Sequence, residues 1–167
     1  MSDTPPLAGL SVLELVRLHV AVLSELQSRE VLRTANGVAG DYAELLFVNA
    51  FGWAREANSA KAYDATCSQG IKYQIKGRRL TSRSASRQLS SIRSLEEQGF
   101  DWLAVVLFDA RFDVSAAALV PFELVQARAR RDAHVNGYRM MMPRIVWALD
   151  GVRDVTAQVA AAQAALA

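Results

Sequence analysis

Four side chains have the types and spacing of a site that works on phosphate: Glu44, Asp64 and, ten residues beyond it, Gln74 with Lys76. Asp64 to Arg79 reads as a short extended segment, a tight turn at Ser68-Gln69-Gly70, and a second extended segment. On that second strand Tyr73 and Ile75 face one way and Gln74 and Lys76 the other, because residues two apart share a face. Cleaving a phosphodiester calls for a hard cation held by oxygen, which draws charge from the phosphate and activates a water. Asp64 is the direct ligand in this reading, Gln74 adds an amide oxygen and the Ile75 backbone carbonyl a third oxygen. Lys76 holds the attacking water or the charge developing on phosphorus. Glu44 reaches in through a bound water or a second metal.

A basic run follows. Between Ala65 and Leu95 lie seven basic residues (Lys72, Lys76, Arg78, Arg79, Arg83, Arg87, Arg93) and no acid, although the chain's net charge is only +2. The remainder has twelve basic against seventeen acidic residues. A positive block on an otherwise acidic protein indicates an anionic partner at one surface. Arg78 and Arg79 have the fork geometry that clamps phosphate. Ser82, Arg83 and Arg87 extend such contacts, and Gln88 reads a base or a phosphate. Binding through these residues is expected to depend strongly on salt. Tyr73 and Trp102 read as core, Asp109 as a turn aspartate, Cys67 as a small buried residue, and His19 and His134 as structural or exposed.

Several elements must position these groups. Residues 1–9 read as a disordered lead-in. Ser11-x-x-Glu14 is a capping box that opens a helix to about Ser28. Its two apolar stripes, Leu13/Val16/Val20/Leu23 and Leu15/Leu18/Val22/Leu26, need cover on both sides, so the helix is either buried in the core or shared with a second copy. Asp41 caps a helix over 42–57. Strands are expected at Ala62–Cys67 and Ile71–Gly77, then a serine-rich basic loop over 78–86 and a helix over Arg87–Gln98. Trp102–Phe108 is a continuous apolar run of the kind buried on both faces of a sheet. Val114–Val120 reads as a strand, Pro121 opens a helix to about Arg131, and Tyr138–Met142 reads as a short strand. Pro143–Leu149 is a helical turn, and Gly151 introduces a last helix.

With 167 residues, 51% of them apolar, the chain is expected to form one domain with its own core. No apolar run is long enough to span a bilayer, and one cysteine fits a reducing cytoplasm. Scattered histidines and a lone cysteine exclude the common zinc spacings.

Over about residues 41–108 the chain resembles the PD-(D/E)xK, or restriction-endonuclease-like, nuclease superfamily: a helix with Glu44, Asp64, Gln74-Ile-Lys76, a helix, and the strand 102–108. The resemblance implies an α/β fold with an αβββαβ core, a central mixed sheet flanked by helices, to which 10–36 adds an N-terminal helical appendage and 109–167 further strands and helices. It also implies Mg²⁺ (or Mn²⁺) as cofactor, DNA as partner, and endonuclease activity of a restriction, repair or mobile-element type. Tyr63 stands where the family has proline, and Gln74 where it usually has an acid, which favours a single-metal site. The other readings are a DNA-binding module without catalysis and a protein-interaction domain with a basic face.

Overall fold

The apolar run at Trp102–Phe108 lies at the centre of the molecule, every residue from Leu103 to Phe108 being fully buried. The computed structural model describes residues 7–28, 38–56, 62–93 and 95–166. Helix α1 spans Val12–Ser28 and α2 Val38–Phe51; strands β1 (Ala54–Arg55), β2 (Ala65–Thr66), β3 (Lys72–Arg79), β4 (Trp102–Phe108) and β5 (Val114–Pro121) follow. Helix α3 (Phe122–Arg128), the hairpin strands β6 (Arg130–Asp132) and β7 (Gly137–Arg139), strand β8 (Arg153–Asp154) and helix α4 (Thr156–Ala165) complete the chain. The central sheet has the order β1-β2-β3-β4-β5-β8, and only β3 and β4 run parallel. The protein is therefore mixed α/β, with a mostly antiparallel central sheet and, among the described residues, four flanking helices.

Alternation along β3 and β4 divides the core into two layers. On one face Tyr73, Ile75, Ala104, Val106 and Phe108 meet Tyr42, Ala43, Leu46 and Phe47 of α2 and Val159 of α4. On the other, Leu103, Val105 and Leu107 meet Leu89, Ile92, Leu95, Phe100, Met140 and Met142. Tyr73 is a core residue as expected, stacked on Trp53 with 3.7 Å between ring centroids. Trp102 is half-buried, with the Arg153 guanidinium 4.5 Å from its ring centre. Gly77 brings β3 and α2 together: a Cβ there would lie 2.1 Å from the Ala39 carbonyl oxygen.

The α1 capping box forms as expected, Ser11 N donating to Glu14 Oε2 at 2.8 Å and Glu14 N to Ser11 Oγ at 3.3 Å. Leu13 and Val20 are buried, whereas Leu15, Leu18 and Val22 of the second stripe are exposed. The Leu26 side chain lies outside the described residues, as do residues 1–6 of the expected lead-in and the stretch 29–37. An Arg17–Asp113 ion pair at 2.6 Å ties α1 to the turn before β5. No described helix is long and apolar enough to cross a membrane.

The helix expected over Arg87–Gln98 is not formed. Leu89 N donates to Met140 O at 3.0 Å, Ile92 N to Tyr138 O at 2.7 Å and Met142 N to Arg87 O at 3.0 Å. Leu89, Ile92 and Leu95 are buried as their spacing suggested, but the backbone is satisfied by the neighbouring segment rather than by its own turns. Serines at 86, 90 and 91 favour such non-helical bonding. Several boundaries also move. Helix α2 starts at Val38, with Asp41 inside its first turn, and Gly52 (φ +65°) follows its end. Strand β2 shrinks to two residues, while β3 runs on to Arg79. Helix α3 stops at Arg128 because Arg130–Asp132 leaves it to pair with β7. After Gly151 the chain forms β8 before the last helix begins.

Candidate functional site

The β2–β3 ladder ends at Tyr73, where Asp64 N donates to Tyr73 O at 2.8 Å. The next inward-pointing amide, Ile75 N, donates to Asp64 Oδ2 at 2.6 Å. Strand alternation directs the Ile75 carbonyl to this same edge. The carboxylate thus takes the place of a strand partner, on the stretch of backbone between Gln74 and Lys76.

Gln74 is buried, only 5% exposed. Its Nε2 donates to Ala62 O at 3.2 Å, which lays the amide against the segment leading to Asp64. Its Oε1 has no hydrogen-bond partner among the described residues. A buried polar atom in that state costs stability. Lys76 shares the Gln74 face. Burial pushes its ammonium below the ordinary lysine pKa and Arg93 adds to this, while Asp64 and Glu44 oppose it. Lys76 therefore lies within electrostatic reach of both acids.

Glu44 reaches the site from α2, carried there by the close approach of that helix to Gly77. Its Oε2 accepts from Arg55 Nη2 at 2.6 Å and Nε at 2.8 Å. Burial raises its pKa, Arg55 opposes the rise, and Asp64 and Asp41 add to it. Glu44 and Asp64 thus both act on the Lys76 charge, and the Gln74 amide lies against the segment leading to Asp64. Among the described residues no three His, Cys, Asp or Glu side chains converge. A cation here needs the Gln74 and Ile75 oxygens beside Asp64.

The basic run divides. Arg78 faces the same way as Lys76 and donates to Ser86 O and Ser84 Oγ, both at 3.1 Å. Arg79 turns to the opposite face, where Nε and Nη2 donate to Ala110 O at 3.1 and 2.7 Å. The two arginines therefore do not form a clamp: successive side chains on a strand point apart. Ser82 and Arg83 are exposed at the tip of a turn closed by Thr81 and Ser84. Arg87 is half-buried. The Gln88 amide oxygen, assigned from the donors around it, accepts from Arg139 Nη1 at 2.7 Å.

Two further residues bear on the site's charges and carry no role in the sequence reading, Arg55 through its ion pair with Glu44 and Arg93 by helping to lower the Lys76 pKa. Arg55 is separated from Glu44 by a helix end and a turn, and nothing local signals the pairing. Arg93 lies within the basic window, the one signal that could have found it. Asp109 is a turn residue as expected, accepting from Arg111 N and Asp113 N. Cys67, expected to be buried, is partly exposed at the β2–β3 turn.

Neither a protein-family model nor a curated protein matches this chain.

Proposed function

We propose that this chain is a Mg²⁺-dependent DNA endonuclease of the restriction-endonuclease-like kind. The observation that carries the reading is the position of Asp64, locked on the Ile75 amide and within reach of Lys76 and Glu44. The unpartnered Gln74 Oε1 adds a buried oxygen whose missing partner a hard cation would supply. The antiparallel run β1-β2-β3 followed by a parallel β4 supports the expected αβββαβ order, although the β3–β4 crossover contains no helix among the described residues.

Asp64, Gln74 Oε1 and the Ile75 carbonyl would hold the cation. When bound, it would draw charge from the scissile phosphate and lower the pKa of a water. Lys76 donates hydrogen bonds to the attacking water or to a phosphate oxygen as charge develops there. Glu44 orients a water from the α2 side, with Arg55 fixing its carboxylate. Arg78 holds the Ser84–Ser86 turn beside the substrate path.

The test is nicking of supercoiled plasmid with Mg²⁺ or Mn²⁺ by wild type, Asp64→Asn and Lys76→Met. Metal-dependent nicking lost in both variants is the expected result. Equal cleavage by all three overturns the assignment.

One observation favours a second reading, DNA binding without cleavage. Glu44 is already paired with Arg55, whereas Asp64 has no arginine partner among the described residues. Salt-sensitive duplex binding with no cleavage in either metal would establish it.

A further inference from the structure

A second basic surface lies largely outside the run between Ala65 and Leu95. The β6–β7 hairpin and the end of α3 enclose an open groove of about 710 Å³, lined by Arg128, Arg130, Arg131, Arg139, Gln88 and Met141 among others. Asp132 is the one acid among the described residues that lines it, and this acid is already paired with Arg139 at 2.5 Å. The side chains of Arg128, Arg130 and Arg131 are exposed and make no hydrogen bond or ion pair to any described residue, although Arg131 also lines a small cleft with Glu96 and Glu97. Within the hairpin Arg130 stands directly opposite Arg139. Like charges in that relation repel; the Asp132 carboxylate offsets this at Arg139 and leaves the Arg130 guanidinium for a bound anion.

The groove adjoins a second cleft on the side of β3. Gln88 and Arg139 also line this cleft of about 360 Å³, together with Arg78, Ser86 and Ser91. Arg78 is two residues along the same face of β3 from Lys76. The lining thus passes from the groove through Arg139 to Arg78, two positions from Lys76 on β3.

We propose that this groove binds the phosphate backbone of duplex DNA flanking the scissile bond; this rests on the nuclease reading for the identity of the polyanion. Exposed arginine forks match phosphate oxygens in pairs. No aromatic ring among the described residues lines the groove, so it lacks the stacking platforms on which single-strand binders depend. Contacts of this kind position a duplex without reading its sequence. An acidic protein segment is the competing occupant; the nearness of Arg78, which shares a cleft with Arg139 and lies two residues from Lys76, favours DNA.

The experiment is fluorescence anisotropy of a labelled short duplex in EDTA, using the full chain, Arg128→Ala/Arg130→Ala/Arg131→Ala, and Lys76→Met. Circular dichroism checks that the triple variant folds, as its exposed positions lead one to expect. The triple variant should bind at least about tenfold more weakly and lower the salt slope by about 2.7, or about 0.9 for each phosphate that is no longer neutralised. Lys76→Met, which removes a single phosphate contact, should lose less affinity than the triple variant and lower the salt slope by only about 0.9. Unchanged binding by the triple variant overturns the groove, as does displacement of DNA by polyglutamate at equal charge, which would mark an acidic-protein surface. A wild type that binds no duplex overturns it too. Parallel plasmid nicking separates the two readings. Asp64-dependent nicking with unchanged triple-variant binding rejects the groove alone. Groove-dependent binding without nicking rejects the nuclease alone.

Discussion

Asp64 Oδ2 accepts the backbone N–H of Ile75 at 2.6 Å. The carboxylate extends the β2–β3 ladder by one rung where β2 has already ended, so the site's acid is also part of the sheet. This dual role separates two substitutions. Asp64→Asn keeps an acceptor for Ile75 N and should fold normally, yet lose activity by roughly 10²–10³-fold. Asp64→Ala leaves the amide unpaired and should also destabilise the protein by about 1–3 kcal/mol. Urea denaturation beside plasmid nicking distinguishes them; equal stability of the two variants would contradict the structural role.

Gln74→Glu places a carboxylate where Oε1 now lacks a partner. Without metal this buried charge should lower the melting temperature. Added Mg²⁺ should raise it more than in wild type, since a ligand bound only by the folded state stabilises it. Differential scanning fluorimetry with and without Mg²⁺ checks this; a Mg²⁺ response no larger than that of wild type would argue against Gln74 as a ligand position.

Burial lowers the Lys76 pKa. Between its folded value and the ordinary lysine value, the unfolded chain binds more protons, so stability rises with pH across that window. Below it the charged ammonium is a cost. Lys76→Met should therefore be at least as stable as wild type near pH 7, and its advantage should shrink as the pH approaches about 10. Denaturation curves at several pH values test the sign, and a variant clearly less stable at neutral pH would refute it.

Gly77→Ala should destabilise the protein by about 2–3 kcal/mol. The new Cβ would meet the Ala39 carbonyl oxygen at 2.1 Å and the Ala43 Cβ at 2.9 Å. Because α2 must move away from β3, Glu44 moves with it, so activity measured on the folded fraction should also fall. Wild-type stability in this variant would rule out the close approach.

Arg55→Ala removes the main influence that lowers the Glu44 pKa. The Glu44 titration midpoint, followed by carbon-detected NMR, should move up. A raised carboxyl pKa means that ionising Glu44 opposes folding, so the variant should lose stability relative to wild type as pH rises through that midpoint. An unmoved midpoint would contradict the pairing.

The central strand is legible in the sequence because six consecutive apolar residues between Leu103 and Phe108 have no alternative but burial on both faces. The α1 cap is legible because Ser11 and Glu14 interact within one turn. The stretch around Leu89, Ile92 and Leu95 is legible only in part, for a related reason. Spacing reports correctly that the three are buried, yet it does not reveal whether the backbone bonds to itself or to a segment about fifty residues away.

The sequence by itself determined the chemistry of the candidate site: an acid, an amide oxygen and an ammonium on neighbouring extended segments, with alternation assigning Gln74 and Lys76 to one face. Alternation also separates Arg78 from Arg79, a consequence made evident by their different partners, Ser86 and Ala110. The tertiary structure alone decided which distant groups join that chemistry. Packing of α2 over Gly77 carries Glu44 and its partner Arg55 to Asp64. Pairing of residues 87–92 with 138–142 places Arg139 of β7 in one cleft with Arg78. Side-chain periodicity and capping act over a few residues, whereas these contacts arise from layers of core closing on both faces of one sheet.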